Sequence, residues 1–344
     1  MKKAITIAFV LIAAIYQGYN ELGPTKKISA AVDQKRISIM AYNVENLFDT
    51  LNDPKKNDET FLPKSKKNKK VQQKCKQSSR SYWVKECLET NWTTFKLDMK
   101  MKRLATVVKG YKKSGPDILI LEEVENKNVL NMFNDKHLGY KNVILLEGPD
   151  KRGIDVAILT KLESAKKAKL HLQRTASSRV KATRGILEAF LKLPNNETLS
   201  VFGVHFPSQG SPTKAREDAI DLLNRLQSKR SHLSISGGDF NITKNENHLY
   251  KKNLSKNWKV SHLIGCKKCK GSNYYHRKRS WSFLDALLFS KNFGKTWKID
   301  KASIDIFNKL DVQKNRHGSP KKFNMGKDQT GVSDHWPVVG EIYL

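Results

Sequence analysis

The sequence predicts a single α/β domain with β-sheets at its centre and helices outside. Short runs rich in Val, Ile and Leu recur from Arg36 onward, and stretches with helical spacing lie between some of them. Hydrophobic residues make up 38% of the 344 residues, which is enough for a sizeable core. One lysine-rich segment interrupts this pattern, and no internal repeat is visible, so we expect one large domain.

The predicted strands are short apolar segments, many of which end at a polar residue. In chain order they are ISIMAYN, DILILEE, DVAILT, ILEAFLKL, LSVFGVHF, HLSISGGDF, FLDALLF and HWPVVGEIYL. Two helices are predicted from apolar residues at helical spacing, and each leads into a strand. The residues with this spacing are Leu97, Met101, Leu104 and Val108 in the first helix, and Ala215, Ala219, Leu222, Leu223 and Leu226 in the second.

The lysine-rich segment covers about residues 50–91 and includes PKSKKNKKVQQKCKQ. Its composition predicts a surface insertion or a disordered loop whose lysines stay solvated. Contact with nucleic acid is the alternative use of these lysines. Trp83 and Trp92, together with Cys87, predict that the second half of the insertion packs on the body of the domain.

The N-terminus has the pattern of a secretory signal peptide ending near residue 22. Lys2 and Lys3 precede an apolar run from Ala4 to Tyr16, which is too short to span a bilayer comfortably. No clean cleavage site and no second apolar segment of spanning length follow. We expect an exported protein, periplasmic or secreted, without a membrane span after removal of the signal.

The four cysteines are consistent with an oxidising compartment. Cys75 and Cys87 flank part of the insertion, and Cys266 and Cys269 form a C-x-x-C motif. Four cysteines allow three pairings, and a zinc site built from all four thiolates is a rival interpretation. If the protein is exported, the expected disulfides are the two pairs that each close a local loop.

The chain is strongly basic, with 64 Lys and Arg against 33 Asp and Glu and a net charge of +31. Such a field attracts polyanions such as nucleic acid or an anionic membrane. A lysine-rich surface that is merely solvated is the alternative.

Polar residues at the ends of the predicted strands are the candidate functional residues. They are Asn43, Glu123, His205, Asp239 with Asn241, Asp285, and Asp334 with His335. In the segment SISGGDFNIT, alternation places Asp239 and Asn241 on one side of an extended backbone and Phe240 on the other. A turn rich in Gly, Asp and Asn is the simpler explanation of this segment alone. Together, however, these residues provide the carboxylates, imidazoles and amides that metal-assisted cleavage of phosphate esters requires.

Seven segments of the chain resemble the endonuclease/exonuclease/phosphatase superfamily, which contains pancreatic-type deoxyribonuclease. In chain order they are AYNVENLFD, LILEEVEN, RGIDVAIL, VHFPS, GGDFN, WSFLDALLFS and SDHWP. The resemblance covers residues 36–344 and implies a four-layered α/β sandwich, with two central mixed β-sheets flanked by helices. The sequence departs from many relatives at Glu122, where they carry Gln; we expect this change to alter hydrogen bonding around the metal site without abolishing metal binding.

The resemblance also implies roles for the candidate residues. Glu123 would bind Mg²⁺, assisted by Asn43 and Asp334, and Glu45 is a weaker candidate ligand. His335 is associated in relatives with water activation and transition-state stabilisation, and Asp285 orients its ring. The other implied roles are proton donation or phosphate contact for His205, activation of water by Asp239, a hydrogen bond from Asn241 to phosphoryl oxygens, and substrate binding by Arg152.

The expected function is a secreted Mg²⁺-dependent nuclease with little sequence specificity, whose expected substrate is DNA, with RNA as the alternative. Mn²⁺ and Ca²⁺ are alternative ions. We expect a monomer whose partner is nucleic acid, with Tyr274, Tyr275 and Trp281 available for contacts with sugars or bases. A phosphomonoesterase or a sphingomyelinase-like phospholipase is the enzymatic alternative, because one fold hosts many functions. A scaffold that binds nucleic acid without cleaving it is the alternative outside the enzymes.

Overall fold

The structure, a computed structural model, describes residues 32–53, 55–172, 184–325 and 330–344. The predicted signal peptide lies outside these residues. The strands are β1 (Arg36–Leu47), β2 (Ile118–Val124), β3 (Asn142–Leu145), β4 (Asp155–Thr160), β5 (Ser164–Leu172), β6 (Gly185–Lys192), β7 (Thr198–His205), β8 (Leu233–Asp239), β9 (Trp258–Val260), β10 (Asn273–Tyr275), β11 (Ser280–Ser282), β12 (Asp285–Ser290), β13 (Lys298–Ile306) and β14 (Val338–Tyr343).

The α-helices are α1 (Lys69–Lys76), α2 (Ser81–Glu89), α3 (Thr94–Tyr111), α4 (Lys127–Phe133), α5 (Thr213–Ser228) and α6 (Ser261–Ile264). The two predicted helices correspond to α3 and α5. In the described part of the chain, no helix has both the length and the apolar composition needed to cross a membrane.

Two six-stranded mixed sheets form the centre of the described fold. The first sheet has the order β13-β14-β1-β2-β4-β3, and the second has the order β5-β6-β7-β8-β12-β9. The β1–β2 pair is parallel in the first sheet, and the β7–β8 pair is parallel in the second. A separate hairpin joins β10 and β11.

The hydrophobic core is divided into three layers by the two sheets. Ile39, Ile120, Ile235 and other buried side chains fill the space between the sheets. Helices α3 and α4 cover the outer face of the first sheet, and α5 covers that of the second. The four-layered sandwich is therefore confirmed.

Two glycines at the end of β8 let the sheets approach each other. A Cβ on Gly237 would lie 2.6 Å from Ile120 Cδ1 and 3.3 Å from Ala41 Cβ, both in the opposite sheet. Gly238 has a φ of +138°, and its Cβ would overlap the Val204 carbonyl oxygen of the neighbouring strand β7 and lie 2.8 Å from Glu122 Oε1 in the opposite sheet. These glycines are needed less for a turn than for close packing, since β8 continues through them to Asp239.

Every predicted strand is present, but the sequence patterns miss the strands at the edges of both sheets. These are β13 and β3 in the first sheet and β5 and β9 in the second. Strand β5, with the sequence SAKKAKLHL, is largely exposed and carries lysines, as edge strands often do. Apolar runs identify buried strands, so polar edge strands escape them.

The insertion is a folded surface segment, which is the first of the two predicted alternatives and not the disordered loop, and most lysines of its KSKKNKK run are exposed as expected, with Lys67 the exception. It contains two short 3-10 turns (Glu59–Phe61 and Lys64–Lys66) followed by α1 and α2. Lys67 is buried, and its ammonium donates to the backbone carbonyls of Thr60, Cys87 and Thr90. Lys67 thus connects the first 3-10 turn of the insertion to the end of α2 by hydrogen bonds.

The second half of the insertion packs on the domain through Trp92 and not through Trp83. Trp92 is buried, stacks edge-on against Phe61, and donates from Nε1 to the Phe48 carbonyl at 3.0 Å. Trp83, by contrast, is 44% exposed. The packing prediction is confirmed for one of its two tryptophans.

The cysteines lie in two local pairs, as expected for an exported protein. The Cα atoms are 5.6 Å apart in the Cys75–Cys87 pair and 5.3 Å apart in the Cys266–Cys269 pair, and this geometry permits both disulfides. Among the described residues, the possible ligands close to Cys266 and Cys269 include Asp305 but neither of the other cysteines. A zinc site built from all four thiolates is therefore not supported.

Candidate active site

The ends of strands from both sheets meet at one edge of the sandwich. In the second sheet, Asp239 pairs in register with His205 on one side and with Asp285 on the other. In the first sheet, the adjacent strands β1 and β2 bring Asn43 close to Glu123. The side chains predicted from the strand ends therefore form one continuous cluster.

His335 is held by Asp285. The His335 Nδ1 lies 2.7 Å from Asp285 Oδ2, which also accepts a 2.6 Å hydrogen bond from Ser272 Oγ. Burial by itself would lower the pKa of His335, but the charge and hydrogen bond of Asp285, with Asp239 and Asp334 nearby, raise it well above the usual value. His335 is therefore a cation at neutral pH. Ser272 was not among the predicted residues.

Asp239 is fixed by several hydrogen bonds. Its Oδ2 accepts from Asn43 Nδ2 at 3.1 Å and from Asn241 Nδ2 at 3.2 Å, and it lies 3.5 Å from His205 Nε2. Burial and the Asp285 charge raise the pKa of Asp239 to about 7. Asp239 is thus poised to exchange a proton near neutral pH.

Asn241 has its amide engaged by the protein. Besides Asp239, its Nδ2 donates to the Phe206 carbonyl at 3.0 Å, and the residue adopts a left-handed φ of 52°. Phe240 points to the outer core of the second sheet. The predicted placement of Asp239 and Asn241 on one face is therefore observed, and in this arrangement the amide orients Asp239.

His205 and His335 lie in contrasting electrostatic environments. Burial, Arg184 and Arg152 hold the pKa of His205 well below its usual value. The Nδ1 of His205 is buried without a hydrogen-bond partner among the described residues. One cluster therefore contains a neutral histidine and a charged one, a combination typical of sites that move protons.

Glu123, Asn43 and Arg152 form the part of the cluster that belongs to the first sheet. The Glu123 carboxylate lies 3.5 Å from Asn43 Nδ2, accepts from the Asn46 backbone N–H at 3.1 Å, and is 3.9 Å from an Arg152 guanidinium nitrogen. Left-handed φ values occur at Glu45, Asn46 and Glu123. Such backbone strain is common at functional sites.

An extended chain would place Glu45 on the same strand face as Asn43. The left-handed backbone at Glu45 and Asn46 breaks this alternation. Glu45 instead reaches Asp334, whose backbone N–H donates to it at 3.1 Å. Lys322 Nζ bridges the two carboxylates at 2.9 Å and 3.1 Å. No motif marked Lys322, because lysine is common throughout this chain.

Glu122 lies beneath the cluster as a fully buried carboxyl group. Neither of its oxygens has a hydrogen-bond partner among the described residues, and burial and the charge of Asp285 raise its pKa well above the usual value. Burial therefore favours the uncharged form of the side chain. In that form Glu122 is closest to the neutral Gln that many relatives of the resembled family carry at this position.

The oxygen donors at this site fit a hard divalent cation. Glu123 and Asp334 carry carboxylate oxygens, the ligands that Mg²⁺ prefers, and both line the same groove. Asn43 directs its Nδ2 to Glu123, its Oδ1 accepts from the Glu45 backbone N–H at 3.0 Å, and Asp334 is paired with Lys322, so these two side chains would have to exchange partners to bind an ion. Asp239, Asp285 and His335 place possible ligand atoms within 4.8 Å of one another, but the hydrogen bond between His335 and Asp285 uses two of them, and Glu123 is the more exposed carboxylate.

Two grooves meet at this cluster. A long groove of about 750 Å³ contains Glu123, Arg152 and His335 and extends to the insertion. A short groove of about 450 Å³ is lined by Tyr274, Tyr275 and Arg277, among others. Both grooves are lined by Lys322 and Asp334, so the cluster is open on two sides.

The fold and the cluster together define a phosphoesterase of the α/β sandwich class. The family model described as "Endonuclease/Exonuclease/phosphatase family" matches residues 38–82 and 85–343. The chain belongs to this family, whose hydrolases are generally metal-dependent phosphoesterases. No curated protein shows significant sequence similarity to the chain.

Solved structures with the same fold are only distantly related in sequence. Truncated TDP2 from Caenorhabditis elegans is 14% identical with a TM-score of 0.55, covering 91% of this chain and 100% of that one. D. rerio TDP2 complexed with a single-strand DNA product is 14% identical with a TM-score of 0.56, covering 89% and 98%. An endonuclease/exonuclease/phosphatase family protein from Bacteroides thetaiotaomicron is 13% identical with a TM-score of 0.57, covering 91% and 99%.

Proposed function

We propose that the protein is an exported, Mg²⁺-dependent nuclease that hydrolyses phosphodiester bonds of DNA, and of RNA more slowly, with little sequence specificity. The observation that carries this proposal is the meeting of two grooves at Lys322 and Asp334, beside His335. A polymer needs a path on both sides of the bond that is cleaved. A phosphomonoester or a lipid headgroup needs only one.

Charge supports a polyanionic substrate. The net charge of +31 favours association with a phosphate backbone, and Lys322, Arg152 and Arg277 line the two grooves. A protein with the same fold, D. rerio TDP2, was crystallised with a single-strand DNA product.

The residues of the cluster divide the chemistry between them. A divalent ion at Glu123, Asn43 and Asp334 would stabilise negative charge on the scissile phosphate. Asp239, held by two amide donors, accepts the proton of the attacking water. His335, a cation fixed by Asp285, donates a hydrogen bond to the phosphoryl oxygens as their charge grows.

The test is incubation of the purified protein with supercoiled plasmid, RNA, inositol phosphates and sphingomyelin, each with Mg²⁺ or with chelator. We expect plasmid nicking and slower RNA cleavage, both abolished by chelator. If the protein hydrolyses inositol phosphates or sphingomyelin and leaves the plasmid intact, the proposed nuclease activity is wrong, and the protein is a phosphomonoesterase or a phospholipase. Nucleic-acid binding without cleavage of any substrate would indicate the non-enzymatic alternative, a scaffold that binds nucleic acid.

Export is a separate part of the proposal and rests on the N-terminal sequence. Expression of the full chain in a bacterial host, followed by fractionation and mass spectrometry of the N-terminus, tests it. Retention of the intact N-terminus in the cytoplasm would overturn this part alone.

A further inference from the structure

Helix α2 of the insertion presents two aromatic side chains to the long groove. Tyr82 is 68% exposed and Trp83 is 44% exposed, and both line the same groove as Glu123 and His335. Their ring centroids are 6.3 Å apart, with an angle of 82° between the ring planes. Exposed aromatic rings beside a catalytic cluster indicate a contact surface for a substrate.

The wall that carries these rings is firmly held. Cys87 on the same helix faces Cys75 on α1, and the buried ammonium of Lys67 donates to the carbonyls at the end of α2. Lys74 of α1 forms an ion pair with Glu59. The aromatic side chains therefore start from a preorganised position, which lowers the entropic cost of binding.

We propose that Tyr82 and Trp83 form a stacking platform for unpaired bases of a nucleic-acid strand bound in the long groove. This inference rests on the proposed function and adds that single-stranded nucleic acid is bound, besides duplex, through its unpaired bases. Aromatic side chains stack on the faces of bases regardless of sequence, and only an unpaired base exposes its face. Arg80 and Lys85, exposed next to the rings, attract the phosphate backbone.

A lipid surface is the competing occupant for exposed aromatic and basic residues. The position of the rings favours nucleic acid, because both line the groove that leads to His335 and Glu123.

The test compares the Tyr82→Ala/Trp83→Ala double variant with Phe95→Ala, which removes an aromatic ring that is 53% exposed but does not line the groove. Substrates are a single-stranded oligonucleotide, the same sequence as a duplex, and the small diester methyl p-nitrophenyl phosphate, which carries no base. We expect the double variant to raise KM for the single strand about tenfold or more. KM for the duplex and the small diester should change less than about twofold, and Trp83→Phe should retain most single-strand binding.

An unchanged KM for the single strand would overturn the platform. An equal rise for the small diester would also overturn it, because the wall would then support the catalytic centre and not bind bases. Reduced binding to sphingomyelin vesicles, with unchanged oligonucleotide kinetics, would assign a membrane surface instead. If the wild type cleaves none of these substrates, the proposed function fails, and quenching of Trp83 fluorescence by oligothymidine in EDTA still decides whether the platform binds bases.

Discussion

The two sheets contribute clusters of different character to the candidate active site. The first-sheet cluster (Asn43, Glu123) reaches the groove through Glu123, whose side chain is 15% exposed beside Arg152 at 40%, while Asn43 is buried. The second-sheet cluster (His205, Asp239, Asp285, with His335 attached to it) is mostly buried, with side chains at most 8% exposed, and it reaches the groove through His335. An accessible carboxylate allows ions and water to exchange. A mostly buried cluster fixes where protons lie, because solvent competes little for its hydrogen bonds.

The largest expected effect comes from breaking the second-sheet cluster. His335→Ala and Asp239→Asn should each lower kcat on plasmid by about 10² to 10⁴-fold, since each removes a group that handles a proton or charge in the transition state. Added Mg²⁺ should not restore activity. Thermal melting should show folded variants, and His317→Ala, at an exposed histidine, is the control. Folded variants that nick at wild-type rates would refute these roles.

The contact between the two clusters can be broken through the backbone. Gly238→Ala would bring a Cβ into overlap with the Val204 carbonyl oxygen on β7 and to 2.8 Å from Glu122 Oε1 across the sheets, at a φ of +138°. We expect a loss of about 3 kcal/mol in the free energy of unfolding, measured by urea denaturation. Gly318→Ala is the control, because Gly318 also has a positive φ but no atom within 4 Å, and it should cost only about 1 kcal/mol. Equal losses would show that backbone strain, and not close contact with Val204 and Glu122, decides the effect.

The first-sheet cluster should respond through metal affinity. Glu123→Gln replaces a carboxylate by a neutral amide, a poorer ligand for Mg²⁺. Loss of an outer-shell partner costs about 10- to 100-fold in metal affinity, and loss of a ligand charge should cost at least that. We expect the Mg²⁺ titration of nicking to shift to higher concentration, with activity largely recovered at saturation. Glu163→Gln, at an exposed surface pair, should not shift the titration.

A pH prediction separates loss of structure from loss of catalysis. His262 stacks on Phe283 beneath the second-sheet cluster, and burial, with Lys251 nearby, lowers its pKa to about 4. Between about pH 6.5 and 4 the unfolded chain therefore binds more protons at His262 than the folded protein does. The contribution of His262 to the free energy of unfolding is lost as pH falls through that window. Between pH 7 and 5 we expect a loss of about 1 to 2 kcal/mol.

His262→Phe should reduce this pH dependence while His317→Ala leaves it intact, as measured by urea denaturation at both pH values. An unchanged slope in the His262 variant would contradict the assignment. Activity that still falls with pH in that variant reports on the catalytic clusters themselves.

The sequence predicted the second-sheet cluster better than its surroundings. Asp239, Asp285 and His335 follow or begin apolar runs, and the runs identify buried strands whose ends converge. Lys322 and Ser272 lack such a signal because they come from loops, where no periodicity marks them. The helices of the insertion were missed because polar residues dominate their composition, while a few long-range contacts, such as those of Lys67, hold them in place. The edge strands were missed because β5 is rich in lysine and because β3 and β9 have only four and three residues.

The hydrogen bond from Trp92 to the Phe48 carbonyl joins the two ends of the insertion. The chain leaves the sandwich and rejoins it at neighbouring positions, where the aromatic rings of Phe48, Phe61 and Trp92 pack together, and Lys56 adds a second attachment to the carbonyls of Gly148 and Asp150. A segment whose two ends lie side by side is a cassette: it can be exchanged for another length or composition without rethreading either sheet. The contacts that the insertion makes with a substrate can therefore change, in evolution or by engineering, while the catalytic cluster at the strand ends stays the same.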